Sequence, residues 1–249
     1  MSHTITGATL IIGAGGGIGT ALCRRLHARG HTLVLASREL EHLTPLATEL
    51  GAEAHALDAR DVAAVEARVQ DVRGRHGRLH AAVNLAGSIV LKSAHLTSAE
   101  EWADVLATNL TSAFALVRAA AGAMSRDGGG SLVLLSSAAA RVGLANHDAI
   151  AAAKAGVLGL TLSSAATYGP RGVRINAVAP GLVRTPLSAR IVGNEASRKA
   201  SEAMHVLGRL GEPDDVAAMI EWLVGPDSGW VTGQVFGVDG GLGTVRARG

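Results

Sequence analysis

The run Thr9-Leu10-Ile11-Ile12-Gly13-Ala14-Gly15-Gly16-Gly17-Ile18-Gly19-Thr20 constrains this chain more than any other. A short apolar stretch breaks into five glycines within seven residues, and apolar residues at helical spacing follow through Leu26. That order reads as a buried parallel strand, a tight turn and a helix. Bare backbone at such a turn lets a pyrophosphate approach closely, and its charge then lies at the positive N-terminal end of the helix. A flexible glycine-rich loop is the bland alternative, and it leaves the flanking strand and helix unexplained.

With 249 residues, 48% hydrophobic and 18% charged, the chain can bury one large core, so a single α/β domain over 1–249 is expected. The single cysteine, Cys23, lies among Ala21, Leu22 and Leu26, which predicts a buried inert thiol in a reducing compartment. The first residues lack a basic start, and no segment reads as the roughly 18 apolar residues of a membrane span. A soluble cytoplasmic chain with no membrane partner is the expectation. The 23 Lys and Arg are scattered among 21 Asp and Glu, and aromatics are 2%, so neither a basic patch nor a stacking platform points to nucleic acid. No metal is expected.

Strands predicted at 9–12, 31–36, 53–57, 78–83, 131–135 and 173–179 alternate with helical segments, the pattern of βαβ units in a parallel sheet covered on both faces. A seventh strand is expected within 230–241. Thr97 to Glu101 offers two overlapping capping boxes before a long helix. Ser37 and Arg38 follow the second strand, where a dinucleotide fold meets the adenosine ribose; an acid there binds a 2′-hydroxyl and an arginine accommodates a 2′-phosphate. Arg38 therefore favours NADP(H) over NAD(H), although it also reads as a solvated loop residue, and Glu39 would favour NAD(H) if it reached the ribose. Asp58 can cap the helix that follows it.

Several motifs resemble the short-chain dehydrogenase/reductase family. Gly13-x-x-x-Gly17-Ile18-Gly19 resembles its nucleotide loop, with Gly15 inside and Ile12 where a Thr is usual. Asn84-Leu85-Ala86-Gly87 resembles its Asn-Asn-Ala-Gly motif, with Leu85 for the second Asn. Pro180-Gly181-Leu182-Val183-Arg184-Thr185 resembles its Pro-Gly loop, and Trp230 to Gly241 its C-terminal signature. The resemblance implies that Asp58 meets the adenine, that Asn84, Ala86 and Gly87 support the cofactor, and that Val183 and Thr185 meet the nicotinamide amide beside Pro180 and Gly181. It further implies a catalytic Ser137, a Lys154 on the nicotinamide ribose and an Asn109 that holds a water; a helical Asn otherwise bends its helix or bonds locally.

One departure bears on mechanism. The family's tyrosine stands four residues before the lysine and delivers the proton that hydride transfer to a carbonyl requires; here that position is Ile150, which carries no proton. The only tyrosine, Tyr168, is roughly 20 Å along the same helix. His147, seven residues before Lys154, is a candidate acid, or else a histidine bonding backbone at a helix start. Ser137 with a water held by Lys154 and Asn109 is the other route.

The resemblance thus implies a Rossmann-like doubly wound parallel sheet of about seven strands, with a substrate lid at about 183–210. It implies a homo-oligomer, tetramer or dimer, acting as an NADP(H)-dependent oxidoreductase on a small carbonyl or alcohol. Two other classes stay open: an NADP(H)-binding protein with impaired turnover, and a reductase of activated C=C or C=N bonds using His147 or water. The lid carries Arg184, Arg190, Arg198, Lys199 and Arg209 beside Glu195 and Glu202, which suits either an anionic substrate or a solvated helix face.

Overall fold

The computed structural model describes residues 6–246. Ala8–Ile12 (β1) is buried along its length, and its side chains alternate. Leu10 and Ile12 join one core while Ile11 joins the other, as period-two geometry requires of a strand covered on both faces. Leu132 and Leu134 against Val133 repeat the pattern on Gly130–Leu135 (β5). Between lie Thr32–Ser37 (β2), Glu53–Ala56 (β3) and Leu79–Asn84 (β4); Val173–Pro180 (β6) and Val235–Val238 (β7) complete the sheet. All pairings are parallel and the order is β3-β2-β1-β4-β5-β6-β7.

Because the chain runs outward from β1 in one direction and from β4 in the other, the crossovers diverge between those strands and leave a crevice at their C-terminal ends. Helices Gly17–Ala28 (α1), Leu40–Leu50 (α2) and Pro213–Val224 cover one face. Val62–His76 (α3), the long helix Ala99–Arg126 and the helix Asp148–Tyr168 cover the other.

Several expectations need correction. The long helix starts with one capping box rather than two. Ser98 Oγ accepts from Glu101 N and Ser98 N donates to the Glu101 carboxylate, while Thr97 donates to Ser93 O. It also carries two π-helical turns, Ala107–Thr111 and Val117–Ala121. Ala99–Arg126 and Asp148–Arg171 are both long and apolar enough to cross a membrane by length and composition, contrary to the expectation of none. Their apolar residues, Leu116, Ala120 and Val157 among them, are spent on the core. The seventh strand is confined to Val235–Val238, because Val231 N donates back to Ser228 O and Gly233 takes a positive φ of 71°, turning the chain before it can pair. Asp61, not Asp58, caps α3 by accepting from Ala64 N at 3.0 Å.

Candidate active site

The glycine turn sits at the end of β1. Gly13 has φ +84°, and a Cβ there would lie 2.9 Å from the Leu85 backbone. A Cβ on Gly19 would lie 2.3 Å from Gly13 O, and one on Gly17 2.9 Å from Thr185. These three glycines are required by close approach, whereas a Cβ on Gly15 would make only ordinary contacts. Gly16 precedes α1 with no side-chain cap, and no acid stands in the first turn, so the first N–H groups of Gly17, Ile18 and Gly19 are left for an anion. A dinucleotide pyrophosphate fits this donor set.

Beside β2 the crevice opens into a chamber lined by Gly13, Gly16, Ser37, Arg38, Asp58 and Arg60. Arg38 is exposed and forms no ion pair among the described residues. Glu39 pairs instead with His42 at 2.8 Å. Ser37 Oγ accepts from Glu39 N, which shapes the turn. Asp58 is held by the Arg60 guanidinium at 2.7 Å, and that bond keeps its carboxyl below the usual range.

At the ends of β4 and β5 the polar groups draw together. Asn84 donates to Ser112 Oγ and accepts from Ala86 N, fixing the turn through Ala86 and Gly87. Asn109, in the first π-helical turn, donates to Ser88 Oγ and Val105 O and accepts from Ser88 N. Its side chain thus bonds locally to Val105 O and also reaches Ser88, 21 residues away, a partner that sequence reading missed. Lys154 is buried, donates to Leu135 O at 2.8 Å, and is pushed down to about 8 by burial. A Cβ on Gly87 would lie 3.2 Å from Asn109 Oδ1 and 3.8 Å from Lys154 Nζ, so the three meet at one point.

Ser137 accepts from Ala139 N at 3.1 Å, which orients its oxygen and leaves its proton to donate. Ser137 and Ile150, with Pro180 and Gly181, form the common wall of two adjoining cavities of about 130 and 160 Å3. Lys154, Asn109, Val183 and Thr185 border the first; His147, Leu144 and Met204 border the second. Thr185 also accepts from Ser188 N, and the Val183 carbonyl accepts from Ser188 Oγ.

His147 is not on the helix face with Ile150 and Lys154 but immediately before the helix, with φ −109° and ψ 17°. Asn146 precedes it in the left-handed region, φ 61°, and Nδ1 of His147 bonds Ala145 O at 2.7 Å. The backbone bond expected of a histidine at a helix start is therefore present, and the ring still lines the second cavity. Tyr168 packs against the core at the far end of the helix, away from both cavities.

The segment Pro186 to Leu210 contains helices Ala189–Val192 and Glu195–Met204. Its link to β6 is His205, which sequence reading missed. His205 is buried, with Nδ1 on Ser201 O at 2.6 Å and Nε2 accepting from Leu182 N at 3.1 Å. A Cβ on Gly181 would lie 2.5 Å from that Nε2. The His205 bond to Ser201 O is local, but the bond that ties it to the chain after β6 spans 23 residues and leaves no mark in the sequence.

Residues 13–243 match the family described as Enoyl-(Acyl carrier protein) reductase. The chain is 35% identical to a cyclohexanol dehydrogenase of Acinetobacter sp. (strain SE19), covering 93% of this chain and 92% of that protein. It is 31% identical to the 3-oxoacyl-(acyl-carrier-protein) reductase FabG of Vibrio harveyi, over 94% of this chain and 96% of the other. Among solved structures, a variant of actinorhodin polyketide ketoreductase with NADPH superposes with TM-score 0.91 at 31% identity, over 98% of this chain and 100% of that one. A short-chain type dehydrogenase/reductase from Mycobacterium ulcerans gives TM-score 0.91 at 31% identity, over 97% and 91%.

Proposed function

The chain belongs to the short-chain dehydrogenase/reductase family of oxidoreductases, and on that premise we propose that it interconverts a small carbonyl compound and its alcohol, with NADP(H) preferred over NAD(H). The observation that carries this reading is that the buried Lys154, the oriented Ser137 and Gly87 line one cavity, and that Gly87 also borders the chamber at the glycine turn. The nicotinamide, when bound, supplies or accepts the hydride. Gly13, Gly15, Gly17, Ile18 and Gly19 hold the pyrophosphate; Ser37, Arg38 and Asp58 surround the adenosine end. Asn84, Ala86 and Gly87 on one side, and Pro180, Gly181, Val183 and Thr185 on the other, border the nicotinamide end, where Lys154 holds the ribose. The preference for NADP(H) rests on unpaired Arg38 and on Glu39 being turned to His42.

Ser137 donates to the substrate oxygen. Ile150 supplies no proton, so the reading assigns that task to His147 or to a water between Lys154 and Asn109. Donation from Nδ1 of His147 to Ala145 O leaves Nε2 as the atom that exchanges a proton. The enzyme is read as a cytoplasmic homo-oligomer in which 183–210 closes over the substrate; burial that pushes the Cys23 thiol up to about 12 is consistent with a thiol that needs no oxidising compartment.

A second reading, reduction of an activated C=C bond, has one observation in its favour: the matched family's description together with a histidine seven residues before the lysine. Both are tested by NADPH oxidation against ketones, 3-oxoacyl thioesters and enones, with the natural protein beside Ile150→Tyr. The expected result is slow ketone turnover, raised by about a hundredfold by Ile150→Tyr, the scale of a positioned general acid. Enone turnover alone selects the second reading. Tight NADPH binding with no turnover by either protein overturns both and leaves a cofactor-binding protein.

A further inference from the structure

We infer that the substrate presented to Ser137 is an uncharged, compact carbonyl or alcohol compound about the size of one six-membered ring, and that keto acids and long acyl chains are not its substrates. The inference rests on the oxidoreductase reading above and adds the substrate class. The cavity between Ser137 and the lid holds about 160 Å3. An apolar cavity of roughly 150 Å3 takes a benzene, so a single ring matches this one in volume. Its walls come from Leu144, Ile150, Leu182, Ile191, Met204 and Leu242, and no Asp, Glu, Lys or Arg lines it.

The polar atoms at the cavity are few. His205 reaches it, but both ring nitrogens are already bonded, to Ser201 O and Leu182 N. Ser137, Ser201 and the Nε2 side of His147 remain, so the arrangement suits a ligand with one hydroxyl or carbonyl on an otherwise apolar body. Of the lid's basic residues, Arg184 and Arg198 are both held by Glu202, Lys199 by Glu195 and Arg209 by Asp215, while Arg190, which has no carboxylate partner among the described residues, does not line the cavity. A carboxylate placed in this cavity would lose its hydration without gaining a cation.

Calorimetry and saturation-transfer NMR with cyclohexanol on the NADP-saturated protein test the inference, with cyclohexanecarboxylate, pyruvate and acetoacetyl thioester as competitors and turnover measured alongside. Cyclohexanol is expected to bind, the two anions not to displace it, and Met204→Arg to weaken it by about tenfold or more through the charge placed at the wall. Met204 is 47% exposed, so this change spares the core, and NADPH affinity reports that the variant is folded. Failure of cyclohexanol to bind, stronger binding of an anion or the thioester, or indifference to Met204→Arg overturns the substrate class. Thioester turnover without ring turnover leaves the oxidoreductase reading standing and sinks this inference. Ring binding without turnover by any nucleotide does the reverse.

Discussion

Beside β2 the crevice is walled by charge in contact with water: Arg38, His42 and Arg60 are exposed and Asp58 is half-buried. Beside Ser137 it is walled by Ile150, Leu182 and Met204, and Lys154 is the only buried Lys or Arg among the described residues. In the first chamber water screens each charge, so the Asp58–Arg60 pair contributes little to stability, and on the proposed reading single changes act mainly on which nucleotide is preferred. In the second, burial alone brings Lys154 down to about 8, and a charge enters only at a cost. On the proposed reading one end therefore selects by charge and tolerates alteration, and the other selects by shape, with Ile150 standing where a proton donor would be needed.

The largest effect is expected where water is excluded. Lys154→Met should lower kcat by at least about a hundredfold with little change in melting temperature, measured by NADPH oxidation and circular dichroism; a small loss would mean that the buried ammonium is structural only. His205→Ala leaves Leu182 N–H buried without an acceptor, a cost of about 1–3 kcal/mol, seen as a lower melting temperature and a raised KM as the lid loosens. If KM stays put, the lid does not shape the substrate cavity. At the charged end, NADPH should bind at least about tenfold more tightly than NADH, and Arg38→Asp should reverse that preference, read by fluorescence titration at low and high salt. Equal affinities in the natural protein would erase the contrast between the two ends.

A smaller effect comes from the opposite end of the strands, at the N-terminal ends of β1, β2 and β4, where the same logic of burial applies. His31 is pushed down to about 4 by burial first and by neighbouring His80 second, and burial also lowers His80. Thr9 Oγ lies 3.0 Å from His31 Nδ1. The unfolded chain binds protons near pH 6.5 while the folded protein resists them until about pH 4, so stability rises with pH across that window and is lost on acidification. Melting temperature should fall between about pH 7 and pH 5, and His31→Leu should flatten that slope. A flat natural profile would show that these rings do not resist protonation.

Strand and helix positions were legible because the patterns that mark them are local. Segment 40–50 matches α2, since Gly51 closes it in the left-handed conformation at φ 58°. The absence of a tyrosine at Ile150 and the survival of Ser137 and Lys154 are equally plain in the chain. The lid was not legible. Its cations read as an open question, and only folding brings Glu202 between Arg184 and Arg198 and sets His205 against Leu182. The choice of Ser98 over Thr97 as cap, and of Asp61 over Asp58, turned on backbone geometry that neighbouring candidates share in sequence.

The sequence by itself determined the order of strands and helices, the glycine cradle and the presence of isoleucine at position 150, because each depends on residue type and short spacing. Only the tertiary structure decided that Arg38 stands unpaired among the described residues while Glu39 pairs with His42, that His147 lies just outside its helix yet reaches the cavity, and that the space beyond Ser137 is small and uncharged. Those outcomes depend on which distant groups compete for the same hydrogen bond or the same dry volume, and that competition is settled only when the whole chain has packed.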